Sequence, residues 1–259
     1  MADYSTIKGF TVQTLSADPY ATAESSGAWT SGGAMNTAAG YTAGGGTQTA
    51  AISSGGAPGN QTKAETYDGS SWTEVNDLNT GRYGHGGTGT TTAALAFSGF
   101  TPPVTVNVES YNGTSWTETT NVNTARYYVG DAGASSTSAL LIGGQEPSAS
   151  AKVEEYNGSS WTEKNDLNAV RVNMASDGIV TAAIIAGGGP TNTTNVETSD
   201  GTSWTETTNI NTARQECEGA GTTTAFVIFG GQAPAGPALT ELWDGSSWTE
   251  VGDLATGRS

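Results

Sequence analysis

Tyr67-Asp68-Gly69-Ser70-Ser71-Trp72-Thr73-Glu74 is a passage that this chain writes five times with small changes. It returns as Tyr111-Asn112-Gly113-Thr114-Ser115-Trp116-Thr117-Glu118, then at Tyr156-Asn157-Gly158, Ser199-Asp200-Gly201 and Trp243-Asp244-Gly245, each running on to Trp-Thr-Glu. Asp-Gly or Asn-Gly between two β-prone runs predicts a hairpin, because both turn residues tolerate positive φ. Together with Trp29 the passages set a tryptophan register at Trp29, Trp72, Trp116, Trp161, Trp204 and Trp248, with gaps of 43, 44, 45, 43 and 44 residues. A period of that size marks the blades of a radially repeated β fold.

One unit reads in full from Gly81 to Thr124. Strand a is expected over 82–89, where small residues suit the crowded inner edge of a blade. Strand b follows over 93–99 after Thr90-Thr91-Thr92, and a loop with Pro102 and Pro103 leads to strand c over 106–111. Strand d surrounds Trp116. Four short strands in series make a twisted antiparallel sheet whose two faces only neighbouring sheets can cover. Each repeat tryptophan then buries roughly 150–250 Å², worth about 4–6 kcal/mol gross by area. These indoles therefore read as packing between blades before they read as ligand platforms.

The Gly-Gly doublets at Gly143-Gly144, Gly187-Gly188 and Gly230-Gly231, the aromatic ending strand c and the tryptophan on strand d resemble kelch repeats over residues 35–256. The doublet departs from that pattern at Ser98-Gly99. The fold expected is all-β, a kelch-type β-propeller with five complete four-stranded blades plus a partial N-terminal blade, five to six in all. Residues 1–34 form a leader with a strand d at Trp29; residues 35–259 form the propeller, in units 35–80, 81–124, 125–169, 170–212 and 213–256. The resemblance implies a protein that binds other molecules, since few kelch propellers carry catalysis.

Charged residues make up 13% of the 259, and the formal charge is −16. Such a charge repels phosphate backbones, so nucleic acid is not an expected partner. The start Met1-Ala2-Asp3-Tyr4 lacks the basic end and apolar run of a signal peptide, and no stretch is apolar enough for membrane insertion. Cys217, the one cysteine, excludes a disulfide within the chain.

In a four-stranded meander the a–b and c–d turns share one face, and the b–c and d–a connections share the other. The first face is uniform. The second carries Pro58, Pro102, Pro103, Pro147, Pro190, Pro234 and Pro237, and proline there limits loop entropy. Residues after each repeat arginine also differ from unit to unit: Tyr83, Gly84 and His85; Tyr127 and Tyr128; Val172 and Asn173; Gln215 and Glu216. The b–c prolines with Tyr83, His85, Tyr127, Tyr128, Asn173 and Gln215 are the candidate binding residues.

Arg82, Arg126, Arg171, Arg214 and Arg258 occupy one place in the repeat. They form either a cationic circle for an anionic sugar or carboxylate, or the partners of periodic carboxylates: Glu65, Glu109, Glu154, Glu197 and Glu241, or the Trp-Thr-Glu glutamates. The second is expected. No catalytic residue, cofactor or metal site is expected. His85 is the one histidine, too few for the copper site of galactose oxidase, and Cys/His metal spacing is absent. Acids for glycoside hydrolysis cannot be chosen from 25 nearly periodic ones.

The opening Ile7-Lys8-Gly9-Phe10-Thr11-Val12-Gln13-Thr14-Leu15, then Asp18-Pro19, resembles the leader of kelch-like virion proteins of marine bacteriophages, whose repeats share the style of Glu65 to Glu74 and Thr222 to Gly231. This resemblance implies a virion surface or tail-associated protein, assembled in the host cytoplasm. Its expected partners are other virion proteins, a host-surface glycan or protein, or further copies of itself as a homo-oligomer. A carbohydrate-active propeller enzyme and a cellular kelch scaffold are the alternatives.

Overall fold

A computed structural model of the chain describes residues 29–233, 236 and 238–258. Those residues contain twenty strands in five antiparallel sheets, each sheet ordered as the chain runs. Blade 1 holds β1 (Ala43–Thr47), β2 (Ala50–Ser54), β3 (Ala64–Tyr67) and β4 (Trp72–Val75). Blade 2 holds β5 (Gly86–Thr90), β6 (Ala93–Phe97), β7 (Val108–Tyr111) and β8 (Trp116–Thr119). Blade 3 holds β9 (Gly130–Ser135), β10 (Ser138–Ile142), β11 (Val153–Tyr156) and β12 (Trp161–Glu163). Blade 4 holds β13 (Ala175–Ile179), β14 (Ala182–Ala186), β15 (Val196–Ser199) and β16 (Trp204–Thr207). Blade 5 holds β17 (Glu218–Thr222), β18 (Ala225–Phe229), β19 (Thr240–Trp243) and β20 (Trp248–Glu250). The blades stand around one axis as a five-bladed β-propeller, with β1, β5, β9, β13 and β17 innermost and packed in that succession.

The hairpin between strands c and d forms, with a different turn from the one expected. Its loop has four residues, and only the glycine takes positive φ, as at Gly69 (94°) and Gly113 (91°). The preceding side chain closes the loop: Asp68 Oδ1 accepts the N–H groups of Ser70 and Ser71, each at 2.9 Å. Those donors hold the Asp68 carboxyl down at about 2. Strand a begins later than expected, at Gly86, because Gly84 takes φ 57° and turns the chain first.

Four apolar clusters fill four joints between blades. Ile52, Ala94, Ala96, Tyr111 and Trp116 lie between blades 1 and 2. Leu95, Phe97, Leu141, Tyr156 and Trp161 lie between blades 2 and 3. Leu140, Ile142, Ile185 and Trp204 fill the third joint, and Ile184, Phe226, Ile228 and Trp248 the fourth. Each indole leans on the blade before its own. Trp161 packs on Phe97 with tilted rings, centroids 5.2 Å apart, and its Nε1 donates to Thr120 O at 3.0 Å.

A polar lattice repeats beside these clusters. Arg126 is fully buried; its Nη2 donates to Glu154 Oε1 at 2.9 Å, and its Nη1 to the carbonyls of Gly143 and Lys152 at 2.6 and 2.5 Å. The Asn123 N–H donates to Glu154 Oε2 at 2.7 Å, and its Nδ2 reaches Trp161 O at 3.2 Å. Arg82–Glu109, Arg171–Glu197 and Arg214–Glu241 repeat the pair at 2.7, 2.9 and 2.5 Å, all with buried side chains. Strand c thus supplies the partner, and the Trp-Thr-Glu glutamates do not. The doublet closes the joint: Gly144 N donates to Arg171 O at 2.8 Å, while Gly143 takes φ 57° where a Cβ would meet Arg171 O at 2.5 Å. Ser98 replaces the first glycine in blade 2; its hydroxyl donates to Arg126 O at 2.6 Å and accepts from Arg126 N at 2.8 Å.

The fifth joint, between blades 5 and 1, is built otherwise. Strand β17 does not pack beside β1 as the other inner neighbours pack. Glu218, Ala220 and Thr222 are exposed on one side, Gly44, Gly46 and Thr47 on the other. Trp72 is only half-buried, whereas the four later indoles are buried. Of the five expected ion pairs, one is missing here among the described residues, leaving Glu65 and Arg258 without each other. Ala39 stands where blade 2 has Arg82, so Glu65, 1% exposed, takes only Asn36 N, Asn36 Nδ2 and Thr37 N. Arg258 is exposed, with no carboxylate partner among the described residues, although its carbonyl accepts Gly231 N at 2.7 Å like the others. Trp29 lies outside any strand, which corrects the expected strand d. Its ring nevertheless packs on Phe229 at 4.9 Å and its Nε1 donates to Thr240 Oγ1 at 3.0 Å. Phe229 and Phe97 end equivalent strands, so Trp29 takes at blade 5 the contact that Trp161 takes at blade 2.

Candidate functional site

Just before each inner strand one residue turns left-handed: Tyr41 (φ 54°), Gly84 (57°), Tyr128 (54°), Asn173 (51°) and Glu216 (54°). Their backbones link around the axis. Gly84 N donates to Tyr41 O at 2.9 Å, Tyr128 N to Gly84 O at 2.7 Å, Asn173 N to Tyr128 O at 3.1 Å and Glu216 N to Asn173 O at 2.9 Å. The chain of bonds stops between Glu216 and Tyr41, at the fifth joint. This annulus is the mouth of the propeller on the b–c loop face. Residues one step earlier pair with the b–c loops, as in Tyr83 with Phe100, Tyr127 with Gln145 and Gln215 with Gln232.

Side chains divide the mouth into two arcs. On blades 1 to 3, Tyr41, Tyr83, Tyr127, Tyr128 and Phe100 form a continuous aromatic group. Tyr127 and Tyr128 have centroids 4.6 Å apart, Tyr41 and Tyr128 5.3 Å, Tyr83 and Phe100 5.2 Å, all tilted. Gly84 makes this possible, since a Cβ there would meet the Tyr128 ring at 2.9 Å. Tyr41 is 42% exposed, so the group has a face in water. On blades 4 and 5 the arc is polar: Asn173, Gln215 and Glu216 are half-buried, Asn192 and Gln232 exposed. Gln232 Nε2 donates to Glu216 Oε2 at 2.8 Å and Asn192 Nδ2 to Gln232 O at 2.9 Å. Burial first, then the charge and hydrogen bonding of Glu216, raise the Tyr41 hydroxyl above its usual range. Burial and the neighbouring phenols and Glu216 push Tyr128 up to about 12. Both phenols stay neutral donors at any ordinary pH.

The expected residues separate in space. Tyr83, Tyr127, Tyr128, Asn173 and Gln215 meet at the mouth. Pro58, Pro102, Pro103, Pro147 and Pro190 are exposed on the surrounding loops, and Pro234 and Pro237 fall outside the described residues. His85 does not belong to this surface. It is 4% exposed, its Nε2 lies 3.4 Å from Ser54 Oγ, and burial beside Arg82 pushes it down to about 3. His85 is a neutral packing residue between blades 1 and 2. Tyr41, Phe100 and Gln232 complete the mouth without having been singled out, and so does Glu216, noted as variable but not among the candidate binding residues. Tyr41 was legible only by aligning Asn36-Thr37 with Asn79-Thr80, because Ala39 breaks the arginine register.

The repeat arginines do not reach the mouth as a cationic circle, since four of them are spent on strand c carboxylates. No group of three or more acids, histidines or cysteines poised for a metal occurs among the described residues. An open groove of about 440 Å³ between blades 1 and 2 lies on the opposite, turn-bearing face. It is lined by repeat positions such as Tyr67, Asp68, Tyr111 and Gly113. Asp68 is already consumed by its turn there, and the other polar lining is the hydroxyls of Thr49, Thr66, Thr73, Thr91, Tyr67 and Tyr111. Among the described residues, no helix is long and apolar enough to cross a membrane. No family model matches the chain, and no curated protein is found similar to it.

Proposed function

We propose that the chain is a non-enzymatic binding protein of the kelch type, carried on the surface or tail of a bacteriophage particle, which presents its mouth to a receptor on the host surface. One observation carries the binding part. Four of the five joints repeat the same indoles, arginines and glutamates, while the mouth changes residue type from blade to blade within one rigid backbone annulus. Regular architecture explains the repeated positions; contact with something asymmetric explains Tyr41, Tyr128, Asn173 and Glu216. A preorganised surface loses little entropy when it binds. The Glu216 carboxylate is held by Gln232 and faces the Tyr41 hydroxyl, an arrangement suited to gripping a ligand.

The particle setting rests on the resemblance of the leader Ile7 to Leu15 and of the repeat text. Mass spectrometry of purified particles tests it, and a chain missing from them ends that reading. Adsorption of the isolated protein to intact host bacteria tests the binding face. Tyr83→Ala and Tyr128→Ala are expected to lower adsorption at least tenfold, while Tyr67→Ala on the turn face leaves it unchanged. Equal adsorption by all three removes the mouth from consideration.

A further inference from the structure

Resting on the mouth as the binding face, we infer that its ligand is an uncharged sugar, a neutral hexose or N-acetylhexosamine unit of a glycan. The two arcs supply complementary halves of such a ligand. A pyranose ring carries slightly positive C–H groups on one face and hydroxyls around its rim. Aromatic faces are electron-rich and attract those C–H groups. Tyr41, Tyr83 and Tyr128 offer them from three blades, with centroids 6.4 Å apart for Tyr41–Tyr83, 5.3 Å for Tyr41–Tyr128 and 6.3 Å for Tyr83–Tyr128. Each ring belongs to a different strand start whose backbone is bonded to the next, so the platform is set before binding. On the polar arc, the Glu216 carboxylate and the Gln232 and Asn192 amides, joined by the hydroxyl of Tyr41 from the aromatic arc, are donors and acceptors for the sugar rim.

Charge selects among sugars. The chain carries a formal −16, and the polar arc adds Glu216, which has no arginine or lysine partner among the described residues. A sialic, uronic or sulfated residue would meet like charge at that edge. A nucleobase also stacks on aromatic faces, but its phosphates are repelled in the same way.

An array of neutral, N-acetylated and anionic oligosaccharides, followed by calorimetric titration with the best neutral one, tests the inference. Wild-type protein is expected to bind neutral or N-acetylated glycans at least tenfold more tightly than their anionic counterparts. Tyr83→Ala and Tyr41→Ala lose that binding by tenfold or more, while Tyr83→Phe keeps it and all three melt within a few degrees of wild type. Glu216→Gln narrows the preference against anionic glycans. Absence of any neutral-glycan binding, or Tyr83→Ala binding as well as wild type, overturns the sugar. Should these variants still lose adsorption to host bacteria while the array stays blank, the mouth reading survives and a protein receptor replaces the glycan. Unchanged adsorption removes both.

Discussion

Four joints of this propeller are copies of one design, and the fifth is not. At the joint between blades 2 and 3, Trp161 is buried on Phe97, and Arg126 beside it is buried against Glu154 of its own blade. At the joint between blades 5 and 1, Trp72 is half in water and, among the described residues, Glu65 is buried without a guanidinium and Arg258 is exposed without a carboxylate. The residue types are the same; the neighbours differ. A repeat residue is therefore structural only where the adjoining station supplies its partner. Arg126→Ala should break this comparison most severely. It leaves Glu154 buried with no cation and two carbonyls without their donor, a loss of about 3–5 kcal/mol or more. Arg258→Ala, at the same place in the repeat, should stay within about 0.5 kcal/mol. Urea unfolding of the two variants measures the contrast, and equal losses would mean that the fifth joint is as closed as the rest.

The indoles give a second, slightly smaller contrast. Trp161→Ala removes a side chain 6% exposed and should cost about 3 kcal/mol, near the lower end for a buried tryptophan. Trp72 keeps its contact with Tyr67 at 5.1 Å but lacks a blade in front of it, so Trp72→Ala should cost about half as much. Tryptophan fluorescence reports the same asymmetry, with Trp72 the most readily quenched of the five strand d indoles.

The fifth joint also offers a gain. Ala39 Cβ lies 3.0 Å from the position a Cβ on Gly56 would take, and Arg126 Cβ stands at 3.2 Å from the matching point on Gly144. Ala39→Arg therefore starts from the station its counterparts use, aimed at a buried carboxylate that already accepts three N–H groups. Hydrogen bonds to charged groups offset part of the cost of burying the cation, leaving about 1 kcal/mol, or about 2–4 °C in melting temperature for a chain of this size. A lower melting temperature would show that Glu65 has relaxed into a site that no longer fits a guanidinium.

Much of this was legible from residues alone, because the repeat is nearly literal. Trp116, Trp161, Trp204 and Trp248 announced the blades, and Glu109, Glu154, Glu197 and Glu241 belonged to one of the two glutamate sets named as partners of the arginines. What stayed hidden depends on positions that the repeat does not mark. Asn36, Asn79, Asn168 and Asn211 hold strand c glutamates through both backbone and side chain, yet an asparagine in a linker reads as a loop residue. The mouth was half legible. Tyr83, Tyr127 and Tyr128 stood out as departures from the pattern, but nothing in the spacing says that Gly84 lets Tyr128 lean across to Tyr41. His85 misled for the opposite reason: it varies among blades because each joint is packed with a different side chain there, Val129, Met174 and Cys217 in the others.

Acidic side chains extend the comparison to pH. Asp131 sits inside the second joint, where its Oδ2 accepts Gly87 N at 2.9 Å. Burial pushes its carboxyl up to about 8, aided by the charges of Glu218 and Asp177 and opposed by that N–H group. An acid raised in the folded state keeps its proton there after the unfolded chain has released it. Stability is then lost as pH rises from about 4 toward about 8 and levels off above that. Asp131→Asn keeps the acceptor for Gly87 and removes the ionisation, so its melting temperature should vary less over that window and exceed that of wild type at its upper end. Burial lifts Glu218 too, to about 7, but its side chain faces the open joint and is exposed. An exposed carboxylate is better solvated than Asp131, so Glu218→Gln should alter the pH profile less than Asp131→Asn does. The reverse order would place Glu218 in a joint as dry as the other four.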